Sequence, residues 1–344
     1  MRHEIKSRIK KDLLSTKKAV IAIGDSFTEG QGAVDQSLYK KYKFKYSALG
    51  IPMELDEPKS VKDAIVRRYS SVSYSDDGSI DFYFMENQNS YVNVLCRDYL
   101  RKKYTPVNLG VRGSGNRASI KSLHFHNDLD WDKLDNIIVI YCPTESSRFD
   151  FASDATFDGH SLFTTIWPHY TNMSRRDLNK LLWEGYAKLI YSAKSAIVEE
   201  IINLIDLQNW CKLYNATLII TPAFSTEYSK SAIESILSKD VIRDDRGVYD
   251  KEQLSAENDE NAKMFMNLIT SIDFDAYFRP DNCKTFIDLC LKQEGLCGEN
   301  FYNYFGPGTP DHWITKCGHP SAKAHRLFAE KLYEHIIKLS NAKL

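Results

Sequence analysis

The sequence lacks an excess of charge of either sign, because 45 Lys and Arg side chains balance 46 Asp and Glu side chains among 344 residues. A protein that binds nucleic acid through its phosphates needs a net basic surface, so this balance argues against a nucleic-acid partner. The chain also lacks an apolar run of about 18 residues, which excludes a membrane-spanning helix. Residues 1–18 are basic without the apolar centre of a secretory signal, so we expect a cytoplasmic protein.

Glycine and proline are scarce as well, with 16 and 10 residues, which leaves little material for long flexible linkers. The seven cysteines are an odd number without a CxxC pair, which favours reduced thiols over a disulfide framework. Cys283, Cys290 and Cys297 recur every seven residues. Zinc ligands usually lie closer together than that and include histidine, so we expect no metal site and no organic cofactor.

What the sequence does contain is an alternation of short apolar runs with helical segments. The runs that predict buried strands are residues 19–23, 106–110, 137–141 and 216–221. The segments that predict helices are residues 90–103, 178–213 and 321–339. This alternation predicts an α/β fold with a doubly wound parallel sheet.

Other segments interrupt the alternation. Residues 1–18 carry Ile5, Ile9 and Leu13 at helical spacing, which predicts an amphipathic helix that packs on the body or on a partner. We expect residues 19–344 to form one domain with insertions near 33–89, 146–176 and 222–313. Such long segments are rarely structureless in a compact domain, so each insertion is expected to fold near the ligand-binding edge of the sheet.

The strongest chemical signal is Gly24-Asp25-Ser26, directly after the first predicted strand. A serine in a sharp turn before a helix exposes its hydroxyl, and nearby N–H groups can stabilise an oxyanion. A phosphate-binding loop is excluded because Gln31 stands where that motif needs lysine. The GxSxG pattern fails because Thr28 replaces its second glycine. An ordinary helix cap at Asp25 is the alternative interpretation.

Two further segments carry polar and flexible residues at strand ends. Asn108 to Asn116 contains three glycines, which let backbone N–H groups approach a ligand, although a plain loop has the same composition. His319-Pro320 precedes the C-terminal predicted helix. A single histidine is more often structural than catalytic, but this position at the end of the sheet favours a catalytic role.

In this order, these segments resemble the blocks of the GDSL-type (SGNH) hydrolase family. Gly24-Asp25-Ser26 resembles the first block, Asn108 with Gly113 the second, and His319-Pro320 the last. The resemblance implies a three-layer α/β/α sandwich with a flavodoxin-like parallel sheet, here with large insertions. It also implies Ser26 as nucleophile, His319 as general base and the Gly113 N–H as an oxyanion donor.

The sequence departs from the family pattern at several positions. Thr144 stands where the family has its oxyanion asparagine, and either the Thr144 hydroxyl or Asn116 could replace that donor. Lys316 stands where the triad aspartate is expected, and Asp311 is the nearest substitute. Arg148 could bind an anionic group of the substrate or form a surface salt bridge. The Thr-x-x-x-Arg run is similar to a variant in some bacterial and phage-encoded relatives, and a phage-encoded protein would be virion-associated.

The resemblance implies a serine esterase or acyl hydrolase that acts on a small ester or as an O-deacetylase on a glycan. Acyltransferases of the same fold use the same serine and histidine. The alternative function is a weak or inactive structural or decoration protein of a larger assembly, such as a virion, that binds its partner through the insertions or the N-terminal helix.

Overall fold

The computed structural model describes residues 3–34, 45–46, 52–53, 59–68, 73–74, 80–146, 148–152, 163–166, 185–186, 191–224, 230–237, 240–244, 247–251, 267–296, 312–315 and 318–341. Its strands are β1 (Lys18–Gly24), β2 (Lys45–Tyr46), β3 (Pro52–Met53), β4 (Ser73–Tyr74), β5 (Ile80–Asp81), β6 (Thr105–Asn108), β7 (Asn136–Cys142), β8 (Phe149–Ala152), β9 (Phe163–Ile166), β10 (Thr217–Ile220), β11 (Asp240–Asp244) and β12 (Gly247–Lys251). Its helices are α1 (His3–Thr16), α2 (Ser26–Glu29), α3 (Lys59–Arg68), α4 (Tyr83–Asn89), α5 (Tyr91–Val94), α6 (Asn116–Phe125), α7 (Ala193–Leu213), α8 (Lys230–Leu237), α9 (Phe286–Gln293) and α10 (Ala322–Asn341).

The central sheet has four parallel strands in the order β6-β1-β7-β10. Ile21 of β1 lies opposite Val107 of β6 and Val139 of β7. All three side chains are fully buried. Strands buried on both faces read as continuous apolar runs, which is why the sequence predicts this sheet. The predicted α/β fold with a parallel sheet is confirmed.

Helices cover both faces of this sheet. Alternate residues of β1 point to opposite faces. Ile21 and Ile23 pack in an apolar cluster with residues of α1, α6 and α7. Val20 and Ala22 pack in a second cluster with residues of α5, α9 and α10. The sheet is therefore the middle layer between two helical layers.

Three helices differ in detail from the sequence prediction. The helix predicted over residues 178–213 begins only at Ala193, where Ser192 is its N-cap. The segment predicted as one helix over residues 90–103 begins as α5 and continues as a π-helix over Leu95–Tyr99. The C-terminal helix α10 begins at Ala322, one residue beyond Ser321, and extends two residues past Leu339. The end positions shift because helix ends depend on local caps, which apolar periodicity does not determine.

Part of the third predicted insertion joins the core. Tyr277 forms a parallel bridge with Ile220 at the end of β10, and the Phe278 N–H donates to the Ile220 carbonyl at 2.8 Å. Phe286 of α9 stacks on Phe328 of α10 with ring centroids 4.2 Å apart. Residues 267–296 therefore extend the sheet edge and its helical cover.

The cysteines of this region belong to the same core. Cys283 and Cys290 are buried in the apolar cluster of α9 and α10. Cys297 lies outside the described residues. Within the described ranges, no three His, Cys, Asp or Glu side chains come together as a metal site would require. None of the described helices combines the length and apolarity needed to cross a bilayer.

The remaining strands form small antiparallel hairpins. The pairs are β2 with β3, β4 with β5, β8 with β9 and β11 with β12. They fall within the three segments in which the sequence predicts folded insertions.

Candidate active site

Ser26 occupies the turn between β1 and α2. The Asp25 carboxylate caps α2, because its Oδ1 accepts the Phe27 N–H at 3.0 Å. Gly24 adopts φ 154°, and a Cβ on it would lie 2.2 Å from Oγ1 of Thr28. Only glycine leaves room for the tight turn here, and Ser26 becomes the first residue of α2 with 6% of its surface exposed.

His319 is presented by a tight antiparallel turn before α10. Ile314 and Pro320 form a bridge across this turn. The backbone N–H and the hydroxyl of Thr315 both donate to the His319 carbonyl, at 2.8 and 2.9 Å. Gly318 adopts φ 79°, which this turn requires. The backbone on which the imidazole is mounted is thus held by two hydrogen bonds.

The two predicted catalytic side chains meet. Nε2 of His319 lies 2.8 Å from Oγ of Ser26, a hydrogen-bond distance between residues 293 positions apart in sequence. The Phe27 ring lies beside the imidazole, with ring centroids 5.2 Å apart. Gly32 also lies close to His319, since a Cβ on Gly32 would lie 3.3 Å from Cβ of His319. At the distance between Nε2 and Oγ, an imidazole can accept the proton of a serine hydroxyl.

The glycine-containing loop after β6 packs against the serine turn. The Asn108 side-chain amide donates to the Thr28 carbonyl at 3.0 Å and accepts the Gly110 N–H at 3.0 Å. The Val111 N–H donates to the Gly24 carbonyl at 3.1 Å. Gly113 follows with φ 76°, in the left-handed region. The structure therefore places the loop containing Gly113 directly beside the Ser26 turn.

Asn116 and Thr144, the two candidate side-chain donors for an oxyanion, contact each other. The Asn116 side chain accepts the Thr144 N–H at 2.8 Å and donates to the Thr144 carbonyl at 3.3 Å. The Thr144 side chain, of which 1% is exposed, lies near the Asp25 carboxyl and opposes the rise in its pKa. The structure thus pairs Asn116 with the Thr144 backbone and places the Thr144 side chain near Asp25.

Arg148 forms a buried ion pair with Asp25. Its Nη1 lies 3.0 Å from Oδ2 of Asp25, and its side chain is only 7% exposed. The same nitrogen donates to the Ser114 carbonyl at 3.1 Å. Burial raises the pKa of the Asp25 carboxyl, and the Arg148 charge opposes that rise. Of the two predicted roles for Arg148, the structure shows a salt bridge, but an internal one rather than one on the surface.

A second charged cluster lies at the other end of α2, and sequence analysis missed it. The Arg112 guanidinium bonds to both Glu29 and Glu86, with 2.7 Å between Nε and the Glu29 carboxylate. Glu86 also accepts the Gly32 N–H at 2.9 Å. Burial raises the pKa of Glu29 to about 7; the Arg112 charge opposes this rise and Glu86 adds to it. No local sequence motif predicts this cluster, because its members come from three separate segments.

A second histidine, His325, lies inside the core near the site. Its Nδ1 accepts the Tyr91 N–H at 3.2 Å, so its proton is on Nε2. That Nε2 has no hydrogen-bond partner among the residues that the structure describes. Burial, with a smaller effect of His319, lowers the pKa of His325 to about 3. His325 occupies a buried position of α10, and sequence analysis did not identify it as a candidate site residue.

The third predicted triad member cannot be assigned a position. Asp311 and Lys316 lie outside the described residues. The described contacts of the site therefore comprise Ser26, His319 and the Asp25–Arg148 pair, with the Gly113 loop alongside.

The chain matches no protein-family model, no curated protein and no solved structure.

Proposed function

We propose that the protein is a serine-dependent esterase or acyl hydrolase of the SGNH type. The observation that carries this proposal is the 2.8 Å contact between Nε2 of His319 and Oγ of Ser26. A serine hydroxyl is a weak nucleophile until an adjacent base accepts its proton. Both side chains stand at the carboxyl edge of a parallel sheet, where α/β proteins bind ligands.

The topology supports the SGNH resemblance. The strand order β6-β1-β7-β10 corresponds to the order 2-1-3-4 when the four strands are numbered along the chain. This is the beginning of the flavodoxin-like order. Ser26 follows β1, Gly113 follows β6 and Thr144 follows β7, in the block order of that family.

The reaction begins when His319 Nε2 accepts the proton of Ser26 Oγ, while Oγ attacks the ester carbonyl carbon. The tetrahedral intermediate collapses, the C–O bond to the leaving group breaks, and the leaving alkoxide takes the proton from His319. Water then attacks the acyl-enzyme and gives a proton to His319. The second tetrahedral intermediate collapses, the bond between the acyl carbon and Oγ breaks, and His319 returns the proton to Oγ, which releases the acid and restores the Ser26 hydroxyl. Ester and water are consumed, and an alcohol and an acid are formed.

Backbone groups are the proposed oxyanion donors. The N–H of Ser26, at the first position of α2, has no acceptor within the helix. We assign the Gly113 N–H as the second donor, because its loop packs on the same turn. Asn116 then supports the site through its hydrogen bonds to the Thr144 backbone, and Thr144 through its effect on the Asp25 pKa, rather than through the oxyanion. Loss of one oxyanion donor typically lowers kcat by about 10²–10³.

A fluorophosphonate probe tests the proposal without knowledge of the substrate. The probe should label the wild type at Ser26, Ser26→Ala should not react, and His319→Gln should react far more slowly. Ser340→Ala, on the exposed side of α10, is the matched control and should label normally. Peptide mapping identifies the modified residue.

Turnover of p-nitrophenyl acetate provides the second readout, and longer acyl chains test whether acetyl esters are preferred. A folded wild type that neither labels nor turns over these esters would contradict the proposal. It would favour the alternative of a structural component with this fold.

A further inference from the structure

The Asp25–Arg148 ion pair is almost completely buried beside the turn that contains Ser26. Asp25 has no exposed surface, and the Arg148 side chain is 7% exposed. Burying two opposite charges costs desolvation energy that their attraction only partly offsets, so such a pair is weak evidence for stability. Apolar residues of similar size would fill the same space at no greater cost. The pair therefore needs an explanation other than stability.

The contacts of the pair link separate strand ends. Asp25 holds the start of α2 through the Phe27 N–H, with a donor–acceptor distance of 3.0 Å. Arg148 reaches from the segment after β7 to Asp25 and to the Ser114 carbonyl in the glycine loop. Its guanidinium carbon also lies 5.4 Å from the ring centre of Phe224, which follows β10. One guanidinium thus touches the chain after each of the four sheet strands.

The segment between β7 and Arg148 is one of the places where the chain departs from the SGNH pattern. Here Thr144 lies near the Asp25 carboxyl and opposes the rise in its pKa, and Arg148 is paired with the same carboxylate. The Glu145 carboxylate also lies near the guanidinium, 3.6 Å from its Nε. The charge of Arg148 is therefore balanced by two carboxylates, and its Nη1 contacts the one in the serine turn.

We propose that Asp25 and Arg148 form a positioning pair that holds the Ser26 turn in register with the glycine loop, so that the Ser26 hydroxyl and N–H are correctly placed for attack. The proposal rests on the proposed esterase function. Neither residue touches the substrate; both act through Ser26.

The test compares Arg148→Met, Asp25→Asn, the double variant and Arg148→Lys. Arg97→Met is the matched control, since Arg97 pairs with Asp98 at 2.7 Å on the surface with 41% of its side chain exposed. The readouts are kcat and KM for p-nitrophenyl acetate, the melting temperature, and amide hydrogen exchange of the peptide that contains residues 24–32.

We expect Arg148→Met to lower kcat by about 10- to 100-fold, because a shift near 1 Å at a reacting group costs that much. KM should change little, since a positioning residue acts on the transition state. The double variant should be no slower than Arg148→Met, and Arg148→Lys should recover part of kcat. Hydrogen exchange at residues 24–32 should accelerate in Arg148→Met and remain unchanged in Arg97→Met.

The pH dependence separates positioning from simple destabilisation. In Arg148→Met the Asp25 carboxyl loses its cationic partner, and its ionisation at higher pH places a negative charge beside the developing oxyanion. The residual kcat of Arg148→Met should therefore fall as pH rises, and this fall should be absent in the double variant. The other titratable groups here are Cys142 and Tyr91 near Asp25, Glu145 near Arg148, and His319 at Ser26, and all four are unchanged in both variants.

Two outcomes would overturn the positioning pair. One is a folded Arg148→Met with wild-type kcat and exchange; the other is a loss confined to KM or to the melting temperature. Failure of the esterase proposal is distinguishable, because it appears as an inactive wild type. In that case unchanged exchange at residues 24–32 in Arg148→Met would still overturn the pair, and accelerated exchange would still support it.

Discussion

Replacing Gly110 by alanine should displace the turn that carries Ser26. A Cβ at this position would lie 2.4 Å from the backbone N of Glu29 and 2.8 Å from the backbone carbon of Thr28. These atoms belong to α2 and cannot rotate away as a side chain could. The φ of Gly110 lies outside the left-handed region, so alanine adds no backbone strain of its own. The effect of Gly110→Ala is thus purely steric.

The magnitude follows from this contact. An ordinary contact needs about 3.5 Å, so α2 and the loop must separate by about 1 Å. Overpacking of this kind costs about 1–3 kcal/mol of unfolding free energy. A displacement near 1 Å at a nucleophile can lower its reactivity by about 10²-fold. Gly110→Ala should therefore lose both stability and Ser26 labelling.

Chemical denaturation measures the first effect and the rate of fluorophosphonate labelling measures the second. Gly185→Ala is the matched control, because a Cβ there would meet no atom of the described residues within 4 Å. Its stability should stay within about 0.5 kcal/mol of the wild type. A Gly110→Ala variant as stable as Gly185→Ala and as reactive as the wild type would refute the packing argument.

Three further predictions concern buried polar groups. Glu29 has a pKa raised to about 7, so the folded state binds its proton more tightly than the unfolded state and stability falls as pH rises from about 4.5 to 7. Glu29→Gln should remove a decline in unfolding free energy of up to about 3 kcal/mol over this pH range, which denaturation at several pH values measures. The same dependence of unfolding free energy on pH in both proteins would contradict this. His325 has a pKa lowered to about 3, so the unfolded state binds its proton more tightly and stability falls as pH drops below about 6.5. His325→Asn, which keeps an acceptor for the Tyr91 N–H, should make unfolding less sensitive to acid, and an unchanged acid transition would argue against a buried neutral imidazole. Asp150 accepts the Gly115 and Ala118 N–H groups at 3.0 and 2.9 Å at the start of α6, so Asp150→Ala should cost about 1–2 kcal/mol in the same denaturation assay, and a loss below about 0.5 kcal/mol would contradict that capping role.

Much of the sheet could be predicted from local composition. The run predicted over residues 137–141 lies within β7, and that over residues 19–23 lies within β1. These strands are buried on both faces, so their apolar character needs no knowledge of the rest of the chain. The contribution of residues 267–296 to the core could not be predicted in this way. Its segments are short, and their burial depends on contacts with β10 and α10.

The same distinction between local sequence signals and contacts of distant segments holds for the candidate site. Ser26 and His319 stand in short motifs at strand and helix ends, so both could be named from sequence. Arg148 was assigned two possible roles, and only its distance to Asp25 decided between them. The contact between Asn116 and Thr144 likewise depends on two loops that follow different strands.

The amino-acid sequence alone determined which segments form strands, which turns contain glycine and which side chains are candidate catalytic groups. These properties depend on near neighbours along the chain. Folding in three dimensions decided which charges share a site. The Arg112 guanidinium meets two glutamates, and the Arg148 guanidinium meets Asp25, from segments far apart in sequence. Such pairings arise where strand ends converge on one edge of a sheet, and burial then sets the protonation of each group.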